Sequence, residues 1–202
     1  VTSVLSTIFG LMLAAPAAYA MAFFKGKRDK DILMWMLSTK MMPAVGALVP
    51  VYVMAQKSHL LDTQLALIIV FTLSNLPIMV WMLYSGFKEI PNEILEAARM
   101  DGAGPMRFFF DVMLPLSATS IAALFVIQFI YGWNQYLWPL LVTTDEGMYP
   151  VVIGIKRMIS GGDADNAWNL VMATAMLAML PPAAVVMLMQ KWFVKGLVDT
   201  EK

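Results

Sequence analysis

Five stretches of this chain are apolar for long enough to cross a bilayer, and short polar segments separate them. A helix needs about 20 predominantly apolar residues to cover the hydrocarbon core. Val1–Phe24, Ile32–Ala55, Leu65–Tyr84, Ser117–Val142 and Trp168–Val194 meet that length. Prolines fall inside the second (Pro43, Pro50), third (Pro77), fourth (Pro139) and fifth (Pro181, Pro182). Kinked but continuous helices are expected there, because neighbouring helices can re-satisfy the carbonyls a proline frees. The pattern predicts an all-α, polytopic membrane helix bundle forming one domain over residues 1–202.

The polar segments alternate in charge. Lys25–Asp31, Ser85–Pro115 and the tail carry ten of the Lys and Arg residues, whereas Gln56–Thr63 and Thr143–Ala167 carry three. The positive-inside rule places the first group and the C-terminus in the cytoplasm, so the first span starts outside. The chain opens on valine, and a further helix upstream is expected. "LMLAAPAAYAMAFF" has an Ala-x-Ala-like site, but no basic n-region precedes it and the apolar run continues beyond it. It is read as a span and not as a signal peptide.

Composition narrows the function. The chain is 60% apolar and 14% charged, against about 45–50% and about 25% in soluble domains. A net charge of zero argues against nucleic acid as a partner. No cysteine is present and His59 is the single histidine, which leaves no His/Cys ligand set for a metal; no cofactor is expected. The phosphate-loop pattern G-x-x-x-x-G-K-[ST] is absent, so any ATP would have to be bound by another subunit.

The most polar stretch is "EILEAARMDGAGPMRFFFDVMLPL", Glu93 to Leu116. Pro91 ends the preceding segment and Asn92 is a suitable N-cap. Glu93 in the first turn suits the helix dipole, and Glu96 with Arg99 forms an i,i+3 pair. Gly102 is placed to end the helix in a left-handed conformation. Pro105 then opens a second short helix that runs to Pro115. Ile94, Leu95, Ala97, Ala98 and Met100 surround the first helix with apolar groups, unlike a helix lying on lipid. Residues 91–116 are therefore either a protein-docking helix-turn-helix at the cytoplasmic surface or a packed loop.

The spacing Glu96-Ala97-Ala98, Gly102, Val112, Leu114-Pro115 resembles the signature of permease subunits of binding-protein-dependent ABC importers. Within that family "RMDGAG…F…LPLS" looks like the carbohydrate-uptake branch that includes maltose permeases. The resemblance implies five of six core spans, in a bacterial inner membrane. It implies as partners a second permease subunit, a cytoplasmic ATPase dimer and an external solute-binding protein, besides membrane lipid. It makes residues 91–116 the coupling helix that sits in a cleft of the ATPase. Glu93, Glu96, Ala97, Ala98, Asp101, Gly102, Ala103, Leu114 and Pro115 would be its working residues: the alanines for closeness, Glu96 for a charge contact, Gly102 for the turn. The N-terminal half looks like polyol permeases and the C-terminal half like the glycerol-3-phosphate permease. The implied cargo is a small carbohydrate-type solute of one of those kinds.

Polar residues within the spans are the candidates for a solute path. Lys40 either meets an anionic solute or snorkels and pairs with neighbouring protein groups. Asn75, Trp133, Asn134 and Gln135 either hydrogen-bond a solute or join helices. Trp81, Tyr84, Trp138 and Trp192 fall where an aromatic belt belongs, and Trp133 lies deeper. The 19 methionines suit adaptable packing. The Gly-Gly-Asp run at Ser160–Asp165 reads as an exposed external loop, in the segment where a binding protein would dock. The rival classes are a non-ABC membrane subunit, a secondary carrier and an intramembrane enzyme. A gradient-driven carrier shows acids within its spans, and all fourteen acids here fall outside those drawn above. Intramembrane catalysis would need His, Ser-His or paired Asp in the spans, and none is there.

Overall fold

The first apolar block forms one helix, α1 (Thr2–Phe23), whose packing face is made of small residues. Ser3, Ser6, Thr7, Gly10, Ala14, Ala18 and Ala22 recur every three or four positions and are buried. Between membrane helices association rests on close backbone approach, which small side chains allow. A Cβ on Gly10 would sit 2.8 Å from the Met79 sulfur on the neighbouring helix. The Ala-rich run is thus a helix-packing surface. The computed structural model describes residues 1–24, 26–160 and 168–199, and no strand occurs among them.

Beyond α1 the chain forms α2 (Asp29–Met41), α3 (Ala44–Lys57) and α4 (Gln64–Lys88). Then come α5 (Asn92–Met100), α6 (Pro105–Phe108), a π-helical turn (Phe109–Met113) and α7 (Leu114–Leu116). The remainder is α8 (Ala118–Trp133), α9 (Leu137–Val142), a 3₁₀ turn (Glu146–Met148), α10 (Val151–Ser160) and α11 (Trp168–Asp199). The principal packing is of α1 along α4, with α8 against α1 and α11, and α2 against α4. Among the described residues Thr2–Phe23, Gln64–Lys88 and Trp168–Gln190 are long and apolar enough to cross a membrane singly; counting each bent pair as one span, Asp29–Met41 with Val45–Lys57 (96°) and Pro105–Leu116 with Ala118–Trp133 (72°), brings the number to five.

Two expected spans are broken and not merely kinked. The second divides at Met42 and Pro43, where α2 and α3 meet at 96°. A residue before proline is driven out of the helical region, and Met42 has ψ 130°. Ser38 and Thr39 also turn their hydroxyls onto the Trp35 and Met36 carbonyls, which competes with the ladder and favours bending. The fourth stops at Trp133 and resumes as α9. Pro139 has no N–H to give the Gln135 carbonyl, and the Gln135 N–H bonds Gly132 instead of residue 131. By contrast Pro50, Pro77, Pro181 and Pro182 lie inside helices, as expected.

One proline's repair is visible. Pro182 cannot donate to the Ala178 carbonyl four residues back, and the Trp133 indole N–H donates to that oxygen at 3.1 Å. Trp133→Phe should cost about 0.6–1.7 kcal/mol, the range of hydrogen bonds between membrane helices. In a Pro182→Ala background, where the restored N–H serves Ala178, the same substitution should cost close to nothing. Unfolding the four variants in detergent measures the coupling; equal costs in both backgrounds would reduce Trp133 to packing.

Of the belt candidates Trp81 is exposed, whereas Trp138 is buried with Leu67, Phe71 and Val142. The side chain of Trp192 and the Gly-Gly-Asp run at 161–165 lie outside the described residues. The segment before that run is not a simple loop, because the 3₁₀ turn and α10 occupy it.

Candidate functional site

Residues 91–116 form the hairpin that the sequence outlines. Pro91, not Asn92, occupies the cap position; it has extended ψ and its carbonyl accepts the Ile94 N–H at 3.2 Å. Asn92 is the first helical residue and makes no side-chain cap. At the other end Gly102 has φ +78°. Its N–H bonds the Arg99 carbonyl and the Ala103 N–H bonds the Ala98 carbonyl at 2.9 Å. These two bonds make a Schellman motif, which needs a left-handed residue and so favours glycine. A Cβ at Gly102 would meet no atom within 4 Å, so backbone conformation alone accounts for the glycine.

The faces of α5 differ from the all-round apolar surface expected. Ile94, Leu95 and Ala98 pack against the α1–α4 core, whereas Glu93, Glu96, Ala97 and Met100 point outward. Met100 is 84% exposed. Of the two alanines only Ala97 is presented outward. Glu96 and Arg99 make no ion pair; among the described residues the ion pairs are Arg107–Asp111 and Arg157–Glu146. Asp101 and Gly102 are exposed, Ala103 is half-buried, and Leu114 packs on the core. Pro115 is exposed and lies within α7, so it does not end the second helix.

The base under α5 is aromatic. The Tyr19 hydroxyl of α1 donates to the Pro105 carbonyl at 2.9 Å. Its ring lies 5.0 Å from Phe109 and 6.3 Å from Phe108, and Phe108 meets Phe23 edge-on at 5.7 Å. Phe87 of α4 is buried in the same cluster. The hairpin is therefore packed onto the ends of α1 and α4.

At the opposite end of the bundle the α3–α4 and α9–α10 connections are clamped together. The Asp62 carboxylate accepts the Thr144 hydroxyl at 2.6 Å, the Asp145 N–H at 3.0 Å and the Thr144 N–H. The Thr144 hydroxyl, then the two amides, hold the Asp62 carboxyl below the usual carboxylate range. A depressed carboxyl contributes stability above its unfolded value and loses it only as pH falls through the lowered one, so the clamp holds at neutral pH.

Between these ends lies a polar group that sequence reading saw only in part. Lys40, at the end of α2, donates to the Asn75 side-chain oxygen at 3.0 Å and stands 5.5 Å over the Tyr131 ring. Asn75 is buried near the middle of α4. Two of the span candidates are thus brought together, 35 positions apart in sequence. Trp133 is engaged with α11, Asn134 is exposed beyond the end of α8, and Gln135 is half-exposed at the break; none of the three bonds to Lys40 or Asn75. Gln128 and Tyr131 were missed. Gln128 is 6% exposed, and its side-chain oxygen has no hydrogen-bond partner. The available signal was a lone amide in the apolar run "ALFVIQFIYGW".

Known proteins share this chain's sequence and architecture. Residues 6–199 match the family described as binding-protein-dependent transport system inner membrane component. The chain is 45% identical over 202 residues to the sn-glycerol-3-phosphate transport system permease protein UgpE of Pectobacterium atrosepticum, covering 97% of this chain and 69% of that protein. It is 46% identical over 197 residues to the protein of the same name from Agrobacterium fabrum, covering 95% and 67%. A chain from the crystal structure of a bacterial ABC transporter that imports the acidic polysaccharide alginate superposes with a TM-score of 0.75 at 22% identity, covering 95% of this chain and 74% of that one. That last likeness is one of fold.

Proposed function

The chain belongs to the family of inner membrane components of binding-protein-dependent transport systems, and from its likeness to the UgpE proteins we propose that it carries sn-glycerol-3-phosphate or a close glycerol phosphate as one half of an ATP-driven import path. It is a multi-pass helical permease of the ABC importer type. The solute is taken from the UgpE proteins, to which the likeness runs through both halves of the chain. A second permease completes the path, an external binding protein delivers the solute, and a separate cytoplasmic ATPase pair hydrolyses ATP. The C-terminus and residues 91–116 face the cytoplasm, in keeping with the excess of Lys and Arg on that side.

The observation that carries the coupling role is α5 itself. It is a short helix closed by a Schellman turn, with Glu93, Glu96, Ala97 and Met100 outward and its other face fixed on α1 and α4. An exposed helix on a rigid base suits helix-in-groove docking, in which the groove's motion reaches the spans without loss in a soft linker. Reconstitution in proteoliposomes with the cognate subunits tests the function. Radiolabelled sn-glycerol-3-phosphate should accumulate only with ATP and the binding protein; accumulation driven by a proton or sodium gradient without ATP would sink the proposal.

A further inference from the structure

We propose that Lys40, Asn75 and Gln128 form a transient two-point site for a polyol phosphate within the membrane, Lys40 meeting the phosphate and Gln128 a hydroxyl. This rests on the reading of the solute as a glycerol phosphate. Lys40 brings a formal charge into the middle of the bundle, where an unneutralised ion is costly. Among the described residues it has no carboxylate partner, only one amide oxygen at 3.0 Å and an aromatic face at 5.5 Å. An ammonium has three donors, so the site holds more positive charge and donor capacity than its neighbours use. An anion supplies what is missing.

Gln128 is the second, independent observation. Its orphaned oxygen accepts and cannot donate, so its complement is a hydrogen-bond donor, which a polyol supplies as a hydroxyl. Gln128 and Asn75 line one small cavity with Ser6, Thr7, Phe71 and Met79, so Asn75 joins the unmet acceptor to the under-used cation. That cavity is too small for a water molecule, and a buried acceptor left dry is a standing cost. The site is therefore closed in this conformation and is completed when α4 and α8 part around a solute. Its place in the chain fits such a role. Lys40 immediately precedes the break at Met42 and Pro43, and non-helical backbone at membrane depth is tolerated where it is buried or lines a cavity.

The test uses the complete importer in proteoliposomes, with radiolabelled sn-glycerol-3-phosphate and the binding protein. Lys40→Gln should lower uptake about tenfold, as for loss of one charged hydrogen bond, and Lys40→Arg should retain most of it. Gln128→Met decides between a site and a packing role. Removing an orphaned acceptor at constant volume should raise the melting temperature of the complex, yet uptake should fall about tenfold. Uptake at the wild-type rate in Gln128→Met overturns the proposal, as does an equal loss in Lys40→Arg and Lys40→Gln. If Lys40→Gln does not assemble, Gln128→Met alone decides. A wild-type complex that takes up no glycerol phosphate removes the assigned solute and this site with it, whereas wild-type uptake with unaffected variants removes only the site.

Discussion

Ala97→Trp should lower ATP-driven uptake at least about tenfold while leaving membrane abundance and thermal stability close to wild type. Ala97 is on the outward face of α5, so an indole there displaces no atom of this chain. In the proposed docking it would instead displace the wall of the groove that receives α5. The few hot-spot contacts at the centre of such an interface are worth about 2 kcal/mol or more, and the loss of one sets the tenfold floor. Ala98→Trp is the contrasting variant. Ala98 packs against the α1–α4 core and its carbonyl closes the Schellman turn, so overpacking there should cost about 1–3 kcal/mol of stability and reduce abundance first. Uptake and abundance quantified together separate the cases. Normal uptake by Ala97→Trp would show that α5 is not seated in a groove.

The contrast between Ala97 and Ala98 also marks where sequence reading stopped. The hairpin was legible because its determinants are local: glycine at a left-handed position and proline at a helix start act within a few residues. Which side of α5 faces the core was not, because it depends on Phe87, Tyr19 and Phe109, elements away in the chain. Prolines show the same division. Nothing in the residue itself distinguishes Pro43, where the helix breaks, from Pro182, where it continues. The difference lies in whether another helix serves the freed carbonyl, as Trp133 does for Ala178, and in hydroxyls that compete with the ladder, as Ser38 and Thr39 do. The depth of the mid-span amides depends on distant elements too. Asn134 and Gln135 looked interior by position in an apolar run, but the break after Trp133 puts them outside the packed core. Gln128, six residues earlier, is inside.

Phe108→Ala should destabilise the protein by about 3 kcal/mol or more, the usual cost of emptying a buried phenylalanine site. Phe108 is 1% exposed, packs between the rings of Tyr19 and Phe23, and belongs to the cluster that Ile94, Leu95 and Ala98 of α5 pack against. Its loss leaves a cavity that cannot close easily, since the π-helical turn fixes Phe109 beside it and Tyr19 is tied to the Pro105 carbonyl. Tyr19→Phe is the measured step down. It keeps the ring and removes one hydrogen bond, so it should cost about 1 kcal/mol. Denaturant unfolding in detergent gives both numbers, and hydrogen exchange over residues 92–116 locates them. In Phe108→Ala the amides of α5 should exchange faster while those of α4 stay protected. If α5 docks an ATPase as proposed, such a protein would still cross the membrane but would present a loosened helix to it, so ATP hydrolysis and uptake should uncouple. A cost under about 1 kcal/mol, or protection unchanged in α5, would mean that the hairpin is held by something other than α1.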